Sequence, residues 1–466
     1  MTRRGGGAVS APRRELPVAG DYDVVVAGAG LAGVAAATAA ARAGARTAVV
    51  ECRPYAGGIS TAGMEPSICN YFHDTRGELI VGGRPLELIE RMVGLGAVHR
   101  NWDRHRGHVI FDVEIGKLAM DEMLYEAGVD IWYDTLVTDA LMEGKRLSGV
   151  QVANRSGNQV LLAGCVVDAT GDADVAHYAG APLHVGPGQA NVHSFVFRLG
   201  NVDLDAMADF IRRNPHEYIH DTDIGLTPEE ALAFYEDTGR IMFMHHGAPK
   251  MKLMQRLIER GEYSRQWGPF QHMDAFQLHG IRESRTLVVN TGWFELNEPE
   301  GRALSDWLRE GRGMAQYVTD FMRRHFPGCR DCFLLATADA PGLRRTRWLD
   351  ADFTLTREIY DTAPRYEDAV GRGVVIEPGP LYRTDKTFDI PLRCLLPRGV
   401  EGLLIGSGRS ASCVPAELLR TMPVTMAVGQ GAGAVAAVAV REGVAPRDVD
   451  LEAVQEALRD QGVELR

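Results

Sequence analysis

The chain has 466 residues, of which 45% are hydrophobic and 24% charged, and its formal net charge is −12. At about 150 residues per domain this length implies two or three folded units with room to bury a cofactor, and the proportions exclude a disordered or fibrous protein. The acidic balance, with no long basic run, excludes nucleic acid as a partner, and seven scattered cysteines exclude a secreted disulfide framework and imply a reduced, cytoplasmic protein.

Residues 1–19 are basic, glycine-rich and proline-rich, and read as a flexible arm; no apolar stretch follows Arg3 and Arg4 to make a signal peptide. A short β-branched strand is predicted over Asp23–Val26, then a glycine-rich turn, then an alanine-rich helix from Leu31 that Gly44 ends. Arg46–Val50 reads as a second strand delivering Glu51 at its carboxyl end, which completes a strand–helix–strand unit. Asp23, Arg42 and Arg46 bound or interrupt this apolar stretch, so no transmembrane helix is predicted.

Within that unit Gly28, Gly30 and Gly33 stand as G-x-G-x-x-G directly between strand and helix, the context that gives the pattern its meaning. Gly28 permits the tight turn, Gly30 lets backbone approach a pyrophosphate, and Gly33 allows close helix-to-strand packing; Leu31 and Ala32 open the helix whose free N–H groups face the phosphates. Glu51 falls near the roughly 20-residue offset at which an acid takes ribose hydroxyls and repels a 2′-phosphate, which disfavours NADP. FAD and NAD both remain compatible with these residues.

Further along, amphipathic helices are predicted at Leu86–Leu95 and Asp112–Ala127, and Val129–Tyr133, Val137–Met142 and Leu147–Ala153 alternate as a small antiparallel meander would. Gln159–Asp168 returns as a buried strand. From about 190 to 390 the composition shifts toward His, Trp, Tyr and Arg, with helix-like stretches near 228–237 and 304–325. Leu403–Ile405 is again a buried strand, and Met422–Val440 a small-residue helix.

The glycine finger, Arg53-Pro54-Tyr55-Ala56-Gly57-Gly58 with Thr61 and Gly63, Val167-Asp168-Ala169-Thr170-Gly171-Asp172, Gly342–Arg347, Ile390–Pro397, Leu403–Arg409 and Arg420-Thr421-Met422-Pro423 with Gly429–Gly433 occur in this order. Together they resemble the FAD-dependent oxidoreductase family of glutathione-reductase-like flavoproteins, distantly related to fumarate reductases and thiazole synthases. The resemblance implies an α/β, glutathione-reductase-like FAD-binding Rossmann fold with a mixed α+β substrate domain. It implies an FAD domain at 20–190 and 390–445, a substrate domain at 191–389, and a C-terminal tail or helix at 446–466.

The FAD-contacting set it implies is Gly28, Gly30, Leu31, Ala32, Gly33, Glu51, Cys52, Arg53, Gly57, Gly58, Thr61, Val137, Thr170, Gly171, Asp172, Gly408, Arg409, Pro423, Thr425 and Met426. Gly57-Gly58 is expected to line the ribityl and flavin region, and Gly408-Arg409 with the Pro423 helix to face the ribityl phosphate and pyrimidine edge. Asp172 either binds the ribityl chain or caps the next helix. Many members carry a His before the Ile-Pro-Leu-Arg element; Val374–Asp389 has none, and Tyr382, Arg383 and Lys386 stand there instead.

No second strand–G-x-G-x-x-G–helix unit follows residue 60, so the electrons are expected to come from the substrate. The expected reaction is dehydrogenation of a small metabolite of biosynthesis (an alcohol, amine or activated C–H) with hydride passing to flavin N5. Alternatives are a flavin monooxygenase or halogenase with an external reductase, and a non-redox dinucleotide-binding protein of the same fold. The electron acceptor is oxygen or another carrier, and a homodimer is left open.

His246 is the favoured base, with His245 beside it and His279 a further candidate. Arg282 and Arg347, each in an Arg-x-x-Arg set with Arg285 and Arg344, offer guanidinium forks for a substrate carboxylate or merely structural ion pairs. Cys69 reads as an ordinary buried thiol, Cys329-x-x-Cys332 as no metal or redox site, and no metal is expected.

Overall fold

The computed structural model describes residues 15–69, 72–74, 76–104, 108–186, 192–217, 227–243, 251–296, 299–374 and 386–465. Val24–Ala27 and Thr47–Val50 are hydrophobic and buried on both faces, the signature of strands covered by helices on either side. They pair in parallel as part of a seven-stranded sheet. Its order is Asp130–Trp132, Thr47–Val50, Val18–Ala27, Gly157–Asp168, Arg146–Asn154 and Leu136–Glu143, with Leu403–Ile405 pairing in parallel with the end of Gly157–Asp168.

The alanine-rich helix Leu31–Arg42 crosses between the first two strands, and Met422–Glu442 lies against it. A Cβ at Gly429 would fall 2.0 Å from the Ala32 carbonyl oxygen and one at Gly433 2.1 Å from that of Ala36. Glycine there lets the two backbones touch, so both helices start at the same edge of the sheet. Met422–Glu442 is long and apolar enough to cross a membrane, but 89% of that apolar window is buried within the fold.

A second unit is a five-stranded antiparallel sheet ordered Arg240–Phe243, Gln277–Ile281, Thr286–Glu295, Val192–Gly200 and Phe333–Thr337. The 25-residue helix Gly301–His325 backs it through Trp307, Met314, Val318, Phe321 and Met322. Its core is aromatic: Trp307 packs on Phe294 with ring centroids 3.9 Å apart, and Phe195 and Phe270 join them. This core is separate from the one around the parallel sheet.

Three expectations need revision. The stretch 129–133 is not in the meander: Asp130–Trp132 pairs in parallel with Thr47–Val50, and only 136–168 forms the antiparallel ribbon. Residues 349–374 and 386–388 pack with the first unit rather than the second, because Leu349, Leu355, Val370 and Phe388 are buried in the first core, where the strands Ala369–Val374 and Thr387–Pro391 pair and the first of them packs on Met422–Glu442. The arm ends earlier than residue 19, since Val18 already pairs with Val160; the C-terminal helix Leu451–Arg459 docks on the first unit through Val454 and Leu458.

Candidate functional site

A cleft of about 360 Å³ runs along the carboxyl ends of the parallel strands, where open α/β sheets bind their ligands. One end is built by Glu51, Cys52, Arg53 and Thr135–Val137. Glu51 is nearly buried: Oε2 accepts the Ala29 N–H at 2.8 Å and Oε1 the Arg53 N–H at 3.1 Å, which ties the acid to the glycine turn. The adjacent Cys52 thiol is pushed up to about 11 by burial and by the Glu51 charge, which keeps it protonated.

In the middle lie Gly28, Gly30, Leu31, Ala32, Gly57, Gly58 and Thr170–Asp172. Gly28 adopts φ +93°, and a Cβ there would sit 2.7 Å from the Ala169 carbonyl oxygen. A Cβ at Gly33 would lie 1.8 Å from the Gly28 oxygen. Both glycines are demanded by the fold itself. Gly30 is different: its φ of −62° suits any residue, and a Cβ would meet nothing nearer than Gly58 Cα at 3.9 Å. The protein leaves that space open at a helix start that no side chain caps. The second helix, which begins at Met422, also has no side-chain cap, and Met422 and Thr425 line the same cleft.

Asp172 neither stands free nor caps a helix: it accepts from Arg409 at 2.5 Å and from Thr346 Oγ1 at 2.6 Å. Asp168 knits the loop below by accepting from Thr170 and the Ala176 N–H. Asp174, also on the cleft, is pushed up to about 6 by burial and then by Asp172 and Asp168.

Among the described residues expected to contact cofactor, Gly33, Thr61, Gly408, Pro423 and Met426 lie behind the cleft wall rather than on it. Thr61 Oγ1 donates to the Ala56 carbonyl at 2.7 Å and packs where a Gly57 Cβ would be, so it shapes the Gly57-Gly58 turn. Gly408 lets the chain pass Leu419, whose oxygen would be 1.8 Å from a Cβ, and its N–H donates to Thr425 Oγ1. The expected contact set left out Ser407, Arg420, Met422 and Leu343, which lie within quoted motifs, Ile59 and Ala62, which lie beside one, and Leu304, Ala340 and Pro341, which carry no motif signal.

Three residues after Ala62 of the cleft wall, the two units meet over Glu65, which does not itself line the cleft. Glu65 Oε2 accepts from Asn290 Nδ2 at 2.6 Å, and Oε1 accepts from Ser67 Oγ at 2.8 Å. Asn290 also donates to Gln277 Oε1 at 2.8 Å, and His279 Nδ1 stands 3.6 Å from Glu65 Oε1. Burial raises the Glu65 carboxyl above its ordinary range; the bonds from Ser67 and Asn290 and the charge of Arg344 oppose that shift. Cys69 is pushed up to about 12 by burial and by Glu65, so it is a thiol rather than a nucleophile. His193 is drawn down to about 4, chiefly by burial; its Nε2 meets the Leu296 carbonyl and its Nδ1 accepts the Arg344 N–H, which fixes a neutral ring.

His245 and His246 lie outside the described residues. Arg282 is not at the cleft: on the surface it pairs with Asp205 and covers the Tyr235 ring, so its charge is already satisfied. Arg347 stands behind the cleft wall, paired with Asp174. Among the described residues no group of His, Cys, Asp and Glu could hold a metal, and all seven cysteines are free.

An open glycine cradle between two uncapped helix starts, with an acid tied to the turn, fits a dinucleotide diphosphate and its ribose. This is a dinucleotide-binding α/β protein. The chain belongs to the FAD dependent oxidoreductase family, whose family model matches residues 23–458, and its cofactor is FAD. It is 29% identical over 202 residues to the digeranylgeranylglycerophospholipid reductase of Picrophilus torridus, a match covering 40% of this chain and 48%, about half, of that relative. Among solved structures it is similar to a geranylgeranyl bacteriochlorophyll reductase-like protein of Thermoplasma acidophilum, with TM-score 0.44 and 14% identity over 96% of this chain and 84% of that one. It is likewise similar to the p-nitrophenol 4-monooxygenase of Pseudomonas putida, with TM-score 0.43 and 12% identity over 95% and 84% of the two chains.

Proposed function

We propose that this protein is a glutathione-reductase-like flavoprotein that dehydrogenates a small metabolite, with Glu65 as the group that takes the substrate proton. The reading rests on one observation: three residues after Ala62 of the cleft wall, a desolvated carboxylate is held by neutral donors, Ser67 and Asn290, where the two units meet. Such a carboxylate is more basic than one in water and keeps a fixed orientation. FAD, when bound, supplies the two-electron acceptor. Gly30, the two helix starts and Glu51 would hold its diphosphate and ribose, with Arg409 paired to Asp172 beside them.

Glu65 Oε1 would receive a proton from a substrate hydroxyl, amine or activated carbon, and His279, 3.6 Å away, would be the next group to share it. Asn290, itself held by Gln277, holds the carboxylate from the second sheet, so the base is set by the docking of the two units. This reading puts Glu65 in the role expected for His246. Free thiols and the absence of a disulfide among the described residues support a reducing, cytoplasmic setting.

The test is anaerobic reduction of the FAD-loaded protein by panels of alcohols, amines and hydroxy acids, read by bleaching of the flavin absorption. Glu65→Gln should retain FAD and slow bleaching by about 10²–10⁴-fold. Bleaching at the wild-type rate in that variant removes Glu65 from the mechanism, and an oxygen atom from O2 in the product replaces dehydrogenation with oxygen insertion.

A further inference from the structure

Arg344 follows the cleft-lining Leu343, and no contact of its side chain accounts for its charge. Its backbone is pinned: Gly342 pairs with Ser194 of the second sheet, Leu343 lines the cleft, and the Arg344 N–H donates to His193 Nδ1 at 2.9 Å. Three other interior arginines have taken acceptors. Arg345 donates to the carbonyls of Arg409, Ala411 and Cys413, Arg84 pairs with Glu87, and Arg240 pairs with Glu283. The half-buried Arg344 side chain has no hydrogen bond or ion pair among the described residues.

Glu65 and Glu417 act on it as countercharges at a distance, but neither is bonded to it. Glu417 is engaged by Arg420 at 3.0 Å, both oxygens of Glu65 are taken by Ser67 and Asn290, and His193 is neutral. Arg420 adds a second positive charge on the cleft wall. Burial, and then Arg420, draws the Arg344 guanidinium down to about 10. A guanidinium with no hydrogen-bonded partner can take a ligand's anion, and its fork matches a carboxylate in plane and spacing.

We infer that Arg344 is the anchor for a carboxylate on the substrate, so that the reacting carbon is carried next to Glu65 by a small carboxylic acid such as a hydroxy or amino acid. This rests on the dehydrogenase reading for its substrate, but the anion site itself does not depend on turnover.

FAD-loaded protein is titrated with isobutyrate and benzoate, each beside its uncharged amide, and followed by the flavin difference spectrum and by calorimetry. The wild type should bind the carboxylates saturably and the amides at least about 10-fold more weakly, since charge-assisted bonds are roughly twice as strong as neutral ones. Arg344→Gln should weaken carboxylate binding by about 30-fold or more, with partial recovery in Arg344→Lys. Equal affinity for acid and amide in the unaltered protein, or no saturable binding of either acid, overturns the inference without any variant. So does an Arg344→Gln protein that loses FAD but, once reloaded, binds isobutyrate as before, because Arg344 would then serve the cofactor. If the carboxylates bind through Arg344 while no hydroxy or amino acid bleaches the flavin, the dehydrogenase reading fails and the anion site stands. If neutral alcohols bleach it and acids neither bind nor react, the reverse holds.

Discussion

Substituting Gly30 by alanine separates what the fold needs from what the cofactor needs. In the glycine turn, Gly28 and Gly33 are constrained by the protein's own atoms, at 2.7 Å and 1.8 Å from a hypothetical Cβ. At Gly30 the nearest atom would be 3.9 Å away, and the backbone there, φ −62° and ψ 175°, is open to alanine. Alanine restricts the unfolded chain, which favours folding by about 0.4–1 kcal/mol, and loses a good helix-start residue, which opposes it by a similar amount. The apoprotein should therefore change by less than about 1 kcal/mol. The added methyl fills the cradle against the diphosphate, and overpacking of about 1–3 kcal/mol corresponds to roughly a 5- to 150-fold loss of FAD affinity. The assay is fluorescence titration of apoprotein with FAD beside the Tm of the apoproteins of wild type, Gly30→Ala and Gly33→Ala. Gly33→Ala should lower the Tm clearly, because its clash is with a backbone oxygen that cannot rotate away. A Gly30→Ala protein that binds FAD like wild type, or whose apoprotein melts as low as Gly33→Ala, refutes the assignment of Gly30 to the ligand.

Glu51→Ala removes the acceptor of the buried Ala29 N–H at 2.8 Å, so the apoprotein should lose about 1–3 kcal/mol and FAD affinity should fall; chemical denaturation and FAD titration check both, and unchanged stability would mean that water replaces the carboxylate. Arg345→Met strips the charged donors from three carbonyls of the 409–413 loop, and should cost about 1.5–3 kcal/mol and lower FAD retention without altering the Kd for isobutyrate in reloaded protein. Because burial raises Glu65 above the ordinary 4.5, its base form is populated only above that raised value. Flavin reduction by substrate should rise with pH through an acid limb displaced upward from 4.5, and Glu65→Gln should abolish that limb; a rate flat with pH from 4 upward contradicts it. The same sign applies to stability: a raised folded-state value stabilises the fold at low pH and loses that contribution as pH rises through it, so Glu65→Gln should flatten the Tm profile there.

The diphosphate cradle was legible before any coordinates because its parts are close in the chain. Gly28, Gly30, Gly33 and Glu51 sit in one strand–helix–strand unit, and their roles follow from a tight turn, a helix start and the end of a buried strand. The Gly429 and Gly433 stripe could be seen in the sequence, but that it presses on Ala32 and Ala36, and so aligns two helix starts on one cleft, is a fact of packing. The acid–base end was not legible at all. Glu65 and Ser67 follow the Gly57-Gly58 turn, Asn290, Gln277 and His279 come from the second sheet, and Arg344 from the irregular stretch after Gly342; no spacing links them. For the same reason Arg282, which resembled Arg344 in its local pattern, proved to be paired at the surface. Motif and periodicity report contacts between neighbours in sequence; which buried charge keeps a partner and which is left for a ligand is decided only when the two sheets dock.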